Sequence, residues 1–272
     1  MALALIDGDV IAYTVAWNAI KKYVDPSAPI QLEPGTGRVM PMSIEEDLRS
    51  ECLFDALLMF RKDVKNIKEA LYCDDHLMAV NGTENYRARI YDEYKMPRHK
   101  RAAKTLVRLF AEELRSLVIL EELAVEASGR ESDDYIRIWA NQCWAAGETY
   151  YVCSIDKDLK CIPGLHYNLK TRKIEEVSES FALKFFYRQL LEGDRTDNIP
   201  GIPGIGPKTT EKYLADASTE EELQEIVVST YIENFGDMWY EVLMANGKLL
   251  YIQQHLFDYF TIRDWPVVRG IL

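Results

Sequence analysis

Acidic residues recur in this chain just past short apolar runs. Leu3–Ile6 meets Asp7, Glu69–Cys73 meets Asp74 and Asp75, Leu123–Ala127 is followed by Glu131-Ser132-Asp133-Asp134, and Tyr150–Ile155 is followed by Asp156 and Asp158. One aspartate at a strand end is ordinarily a turn or cap residue. Four such groups, each delivered by its own strand, put carboxylates at a common sheet edge. Gathered carboxylates repel one another and need compensation. All-oxygen donors suit hard divalent cations such as Mg²⁺ and Mn²⁺. Two ions about 4 Å apart would clamp an in-line phosphoryl displacement. Asp156 and Asp158, two residues apart, share a side if the backbone there is extended. The histidines His76, His99, His166 and His255 show neither metal-like nor triad-like spacing and read as ordinary surface or loop residues.

A second chemical feature is the run Gly193-Asp194-Arg195-Thr196-Asp197-Asn198-Ile199-Pro200-Gly201-Ile202-Pro203-Gly204-Ile205-Gly206-Pro207-Lys208-Thr209. It is not a P-loop, because Pro207 stands between the last glycine and Lys208 and no strand precedes it. It reads instead as a loop opening a helix, with Pro207 at the first helical position. Glycines there would let backbone N–H groups approach a phosphate, with Lys208 adding charge.

The elements that must hold these groups alternate. Strands are predicted at Leu3–Ile6, Glu69–Cys73, Leu123–Ala127 and Tyr150–Ile155, with a hairpin over 165–177. Helices are predicted over 10–20, from a Ser43/Glu46 capping box to about Lys65, over 102–120, from a Ser132 cap to Ala146 with Gly147 at its end, over 181–191, and from Pro207. A Thr219/Glu222 capping box starts a largely helical remainder. Residues 23–42 form a loop or insertion, and 76–101 a polar, aromatic and basic segment without period. Alternating strands and helices predict a mostly parallel sheet with helices on both faces, and ligands at the carboxyl ends of its strands.

The 272 residues suit one large domain, or one with a small appendage. No apolar run reaches the roughly 20 residues of a membrane helix, and the start lacks a basic region, so a soluble, intracellular protein is expected. The five cysteines (Cys52, Cys73, Cys143, Cys153, Cys161) form no CxxC pair and read as reduced core residues. The net charge of −12 argues against nucleic acid as a partner, but the charge is segregated: between Lys95 and Arg108 lie Lys95, Arg98, Lys100, Arg101, Lys104 and Arg108 with no acid among them.

In this order along almost the whole chain, the motifs resemble the 5′-nuclease superfamily, the flap endonucleases and 5′–3′ exonucleases of bacteriophages and of bacterial DNA polymerase amino-terminal domains. The resembling pieces are Ile6-Asp7-Gly8, Tyr72-Cys73-Asp74, Tyr94-Lys95-Met96-Pro97-Arg98, Gly129-Arg130-Glu131-Ser132-Asp133-Asp134, Ser154-Ile155-Asp156-Lys157-Asp158, and Gly193 to Lys208. The resemblance implies an α/β PIN-like fold, a mostly parallel sheet flanked by helices, with a helical arch at about 76–106. It also implies a helix-three-turn-helix DNA clamp at about 186–215. The catalytic core would occupy 1–178 and the helical clamp region 179–272, packed as one unit.

It further implies two Mg²⁺ ions, with Mn²⁺ as a substitute. Asp7, Asp74, Glu131 and Asp133 would serve the first, and Asp134, Asp156, Asp158, Asp194 and Asp197 the second, partly through water. Lys95 and Arg98 would stabilise the scissile phosphate. Tyr94, with Tyr86 or Tyr91, would stack on an unpaired base. Lys100, Arg101 and Lys104 would contact DNA from the arch. Gly201, Gly204, Gly206, Lys208 and Thr209 would grip the duplex backbone, where relatives hold K⁺. Departures are Ser132 for alanine, the 23–42 segment, and the extra acids Asp9 and Asp75, which read as neighbours of the ligands or as solvated. The implied protein is a cytoplasmic monomer cutting DNA at 5′ ends, flaps and duplex–single-strand junctions in phage replication, recombination or repair, without a small-molecule cofactor, with cutting of RNA primers left open. A PIN-type ribonuclease and a non-catalytic DNA-binding relative are the alternatives.

Overall fold

The computed structural model describes residues 2–23, 25, 27, 46–96 and 105–271, with only the backbone of 46–48. The expected capping residue Ser43, most of the 23–42 segment, and Arg98, Lys100, Arg101 and Lys104 of the expected arch lie outside the described residues.

The chain opens with strand β1 (Ala2–Asp7), whose alternation serves two cores. Ala4 and Ile6 enter one apolar cluster and Leu5 the other, as successive side chains of a strand must. Helix α1 (Gly8–Ile20) and helix α2 (Glu46–Leu71) cover the first face, joined by helix α4 (Leu106–Leu120); the short helix α3 (Tyr86–Ile90) comes between these last two in the chain. Strands β2 (Asp75–Asn81), β3 (Val125–Ala127), β4 (Thr149–Ser154), β5 (Gly164–Asn168) and β6 (Ile174–Val177) complete a six-stranded sheet of order β3-β2-β1-β4-β5-β6. All neighbours are parallel except the β5–β6 hairpin. Helix α5 (Ser132–Ala146) packs Ile136, Ala140 and Cys143 on the second face. Gly147 ends it in the left-handed conformation, φ 67°.

The remainder is mainly helical: α6 (Glu179–Glu192), the paired dipeptides β7 (Gly193–Asp194) and β8 (Ile199–Pro200), α7 (Pro207–Leu214), α8 (Glu220–Phe235), α9 (Trp239–Leu250) and α10 (Pro266–Arg269). It has its own apolar cluster, including Leu190, Val227, Tyr231, Leu243 and Ile262. Pro207 occupies the first turn of α7, and the Thr219/Glu222 capping box opens α8. Gly193 and Gly201 cross back to back: a Cβ on Gly201 would lie 2.2 Å from the Glu192 carbonyl oxygen, and one on Gly193 2.3 Å from the Gly201 nitrogen. Among the described residues, no helix is long and apolar enough to cross a membrane. The five cysteines are free and all but Cys73 are buried, as their apolar surroundings predict.

The second strand departs from expectation. Helix α2 does not stop near Lys65. Phe60, Val64, Ile67 and Leu71 continue one buried helical stripe, and Tyr72 turns the chain with φ 52°. The strand is therefore Asp75–Asn81, in the stretch assigned to the polar segment, so no arch begins at 76. His166 is buried and bonded to the Ile162 carbonyl at 2.8 Å, not a surface histidine.

Candidate metal centre

The sheet changes direction between β1 and β4: β2 and β3 lie to one side, β5 and β6 to the other. At such a switch point the connections diverge and leave a crevice beyond the carboxyl ends of the strands. Asp7 closes β1 here, and its Oδ2 accepts a 2.7 Å hydrogen bond from the hydroxyl of Ser154, the last residue of β4. The Ser154 hydroxyl also accepts from the Asp156 N–H at 3.0 Å, and Asp156 Oδ1 accepts from the Asp158 N–H at 2.9 Å. These turns aim the post-β4 acids back at the crevice. Helix α5 begins at the same place, with Glu131 rather than Ser132 as its N-cap.

A cavity of about 310 Å³ is lined by Asp7, Asp9, Asn81, Lys95, Glu131, Asp133 and Asp156, among others. A narrow adjoining cleft is lined by Glu131, Asp133, Asp158, Asp194 and Asp197. Glu131 and Asp133 thus face both. Burial, with Asp9 and Asp156 nearby, pushes Asp7 up to about 7. Burial, with Asp156 and Asp194, does the same to Asp158, also to about 7. Asp133 is driven well above the usual carboxylate range by burial and then by Asp156 and Asp7.

Two lysines offset part of this charge. Lys95, in a left-handed conformation (φ 56°), sets its ammonium in a close hydrogen bond with Glu131 and 3.5 Å from Asp197. Lys157 donates to Asp194 at 2.8 Å and lies 3.8 Å from Asp158. Burial alone would raise Glu131 and Asp194. Arg87 and Lys95 outweigh it for Glu131, and Lys157 for Asp194, so both are held below their ordinary values.

Among the described residues, no three His, Cys, Asp or Glu side chains close on one point as they stand. The donor set still fits hard divalent cations: it is all oxygen, and a nearby cation would relieve the repulsion that, with burial, raises Asp7, Asp133 and Asp158.

Of the expected ligands, the structure brings Asp7, Glu131, Asp133, Asp156, Asp158, Asp194 and Asp197 to this edge. It does not bring Asp74. That residue precedes β2, and its carboxylate accepts from the Ala2 N–H at 3.1 Å, at the opposite end of the sheet from Asp7. Asn81 stands at the site end of β2 instead, its backbone and side-chain N–H groups both donating to Asp9, at 2.8 and 2.7 Å. Asp9 also pairs with Arg115 at 2.7 Å. Asp134 touches the site only from behind, in a buried fork with Arg87. Tyr94 is no stacking platform. It is buried, and its hydroxyl donates to Glu131 at 2.9 Å.

In the glycine-rich loop, Gly201 is required by packing, whereas Gly204 (φ 80°) and Gly206 have open space where a Cβ would sit. Lys208 is exposed at the start of α7, with Thr209 beside it. Arg87, Asn81 and Lys157 also support the site, although no motif gives any of them a role. Leu77–Val80 was the apolar signal that would have located Asn81 at a strand end; no periodicity marks Arg87.

No family model matches the chain. It is 32% identical over 153 residues to a DNA polymerase I of Rhizobium leguminosarum, covering 52% of this chain and 15% of that protein. It is 30% identical over 162 residues to a 5′–3′ exonuclease of Buchnera aphidicola, covering 54% of this chain and 55% of the relative. The match therefore spans about half the length of that exonuclease and a small part of the polymerase. Among solved structures, the bacteriophage T5 D15 flap endonuclease, in a pseudo-enzyme–product complex with DNA and metal ions, superimposes with a TM-score of 0.63 at 16% identity, over 92% of this chain and 89% of that one. The T5 5′-exonuclease with bound zinc gives a TM-score of 0.59 at 15% identity, over 92% and 89%. At such identities the likeness is one of fold: an α/β, PIN-like sheet of mostly parallel strands flanked by helices, shared with the T5 flap endonuclease. By sequence, the chain is a homologue of proteins named 5′–3′ exonuclease and DNA polymerase I.

Proposed function

We propose that this chain is a divalent-metal-dependent 5′–3′ exonuclease and 5′-flap endonuclease that hydrolyses DNA phosphodiesters with two ions, Mg²⁺ by preference and Mn²⁺ in its place. The observation that carries this reading is the meeting of Asp7, Glu131, Asp133, Asp156 and Asp158 at the sheet's switch point beside Lys95. The names of the relatives supply the reaction class, and the T5 complex with DNA and metal ions supports the ligand class.

Asp7, Glu131, Asp133 and Asp156 would hold one ion and Asp158, Asp194 and Asp197 the other, with Asp133 between them. Bound there, the ions would supply an activated water and stabilise the leaving oxygen. Tyr94 fixes one oxygen of Glu131 while Lys95 binds the other. The Lys95 ammonium is thereby held at the mouth of the cavity, where a scissile phosphate would meet it. Gly204, Gly206 and Lys208 at the start of α7 would take the duplex backbone, and K⁺ would bind in the same loop. The setting we propose is DNA replication, recombination or repair, by a monomer.

Cleavage of 5′-labelled flap DNA with Mg²⁺ and with EDTA tests the proposal. Short labelled products that EDTA abolishes are expected. A folded protein that binds the DNA yet cuts it with neither Mg²⁺ nor Mn²⁺ would leave only the non-catalytic alternative.

A further inference from the structure

We propose that Asp134 is not an ion ligand in this chain but the buried counter-ion of Arg87, and that this pair fixes the start of α5 so that Glu131 and Asp133 face the ions. The inference rests on the reading of the site as a divalent-ion centre.

Arg87 is 1% exposed and Asp134 0%. The guanidinium forks onto both carboxylate oxygens, Nη1 to Oδ2 and Nη2 to Oδ1, each at 2.8 Å. Backbone groups take the remaining capacity. Asp134 Oδ1 also accepts from the Gln253 N–H at 2.9 Å, and Oδ2 from the Glu131 N–H at 3.0 Å. A carboxylate has about four lone-pair positions, and all four are engaged here. Arg87 in turn donates through Nε to the Leu249 carbonyl at 3.0 Å and through Nη2 to the Tyr251 carbonyl at 2.6 Å, and its Nη1 lies 3.5 Å from Glu131 Oε2.

An ion could take Asp134 only by breaking a charge-assisted fork out of reach of water, leaving behind a guanidinium that cannot lose its proton. Asp133 contrasts with it. Successive residues on a helix point about 100° apart, so the two cannot face the same way. Asp133 faces the cavity, and no hydrogen bond engages its carboxylate among the described residues. Three segments distant in sequence meet at Arg87: the stretch leading to Lys95, the start of α5, and the chain leaving α9. The pair therefore sets where Glu131 and Lys95 stand relative to each other.

The test compares Asp134→Asn with Asp133→Asn, reading Tm without divalent ions and ion binding by calorimetric titration with Mn²⁺ in the cold, where the variants are folded. Losing a buried ion-pair partner is expected to lower the Tm of Asp134→Asn by about 10 °C while the number of bound ions stays that of the wild type. Asp133→Asn, which removes a repelling charge, should show the opposite pattern: an equal or higher Tm and the loss of an ion. Arg87→Lys should restore part of the ion affinity that Arg87→Gln loses, which a role in folding alone would not produce.

An Asp134→Asn protein with unchanged Tm and a lost ion would overturn the assignment. Should Asp134→Asn not fold, the double variant Arg87→Gln/Asp134→Asn, lacking both charges, is expected to fold and bind the wild-type number of ions. A folded double variant that binds one ion fewer than Arg87→Gln alone would overturn the assignment. If the wild type binds no divalent ion, the ion-centre reading fails by itself, and the Tm of Asp134→Asn still decides whether the pair holds the fold.

Discussion

Lys95 and Asp197 meet twice: the Lys95 backbone N–H donates to the Asp197 carbonyl at 2.8 Å, and the lysine ammonium lies 3.5 Å from the Asp197 carboxylate. The first contact fixes the chain before the second can place the charge. Asn198 adds a bond from its side-chain amide to the Glu93 carbonyl at 3.0 Å. The segment carrying Lys95 is thus docked on the glycine-rich loop, and the ammonium is aimed without help from a regular element.

Lys95→Ala is expected to leave the fold intact and to lower single-turnover cleavage of flap DNA by about 100-fold, the usual cost of removing one preorganised stabilising charge. A rate within a factor of a few of the wild type would remove Lys95 from the chemistry.

Asp74→Asn should leave cleavage unchanged, since its carboxylate serves the beginning of β1 and not the site. Asp156→Asn should reduce cleavage by more than about 100-fold, beyond what loss of a supporting contact costs. The same assay on both variants checks the pair, and equal losses would mean that the sheet edge has been misread.

Stability without ions should fall as pH rises toward neutrality. Asp7 and Asp158, raised to about 7, bind protons in the folded state more tightly than in the unfolded chain. Their contribution to stability, full below about pH 4, is lost progressively as pH rises to about 7, so Tm should fall over that range and level off above it. Glu131 and Asp194, held low by their cationic partners, contribute above the ordinary carboxylate range and lose that contribution in stronger acid. Thermal melts from pH 5 to 8, with and without Mg²⁺, are the measurement. The ion should raise Tm most at the alkaline end, and a Tm that stays flat across the series without ions would contradict the charge state assigned to the cluster.

Gly201→Ala should cost about 1–3 kcal/mol, because its Cβ would meet the Glu192 backbone at 2.2 Å and neither backbone can yield. Gly206→Ala meets nothing within 4 Å and has φ −127°, so it should cost no more than about 1 kcal/mol, the loss of a glycine helix cap. Any loss of duplex affinity in Gly206→Ala would then report contact with the ligand, not damage to the fold. Denaturant melts and DNA titrations separate the two.

Much of this was legible in the sequence. Apolar runs of strand length ending in Asp7 and before Asp156 located β1 and β4, and the Thr219/Glu222 and Pro207 signals marked two helix starts correctly. The second strand was misplaced because Glu69–Cys73 is short and apolar, which suits either a strand or the last turn of a helix. The spacing of Phe60, Val64, Ile67 and Leu71 favoured the helix, and it carried Asp74 to the wrong end of the sheet. The base-stacking role of Tyr94 came only from the family resemblance; the fold instead turns its hydroxyl inward to Glu131. The partner of Asp134 was invisible for a different reason. An arginine 47 positions away in an irregular segment leaves no periodic trace.

Glu131 is both the residue from which α5 starts and the group that Lys95 and Tyr94 hold. The first turn of that helix cannot fray without dismantling the centre. Local opening there and release of an ion would be one event, with amide exchange at Ser132–Tyr135 slowing on ion binding while the far end of the helix, at Gly147, exchanges as before. The residence time of the ion would then be set by the opening rate of a single helical turn.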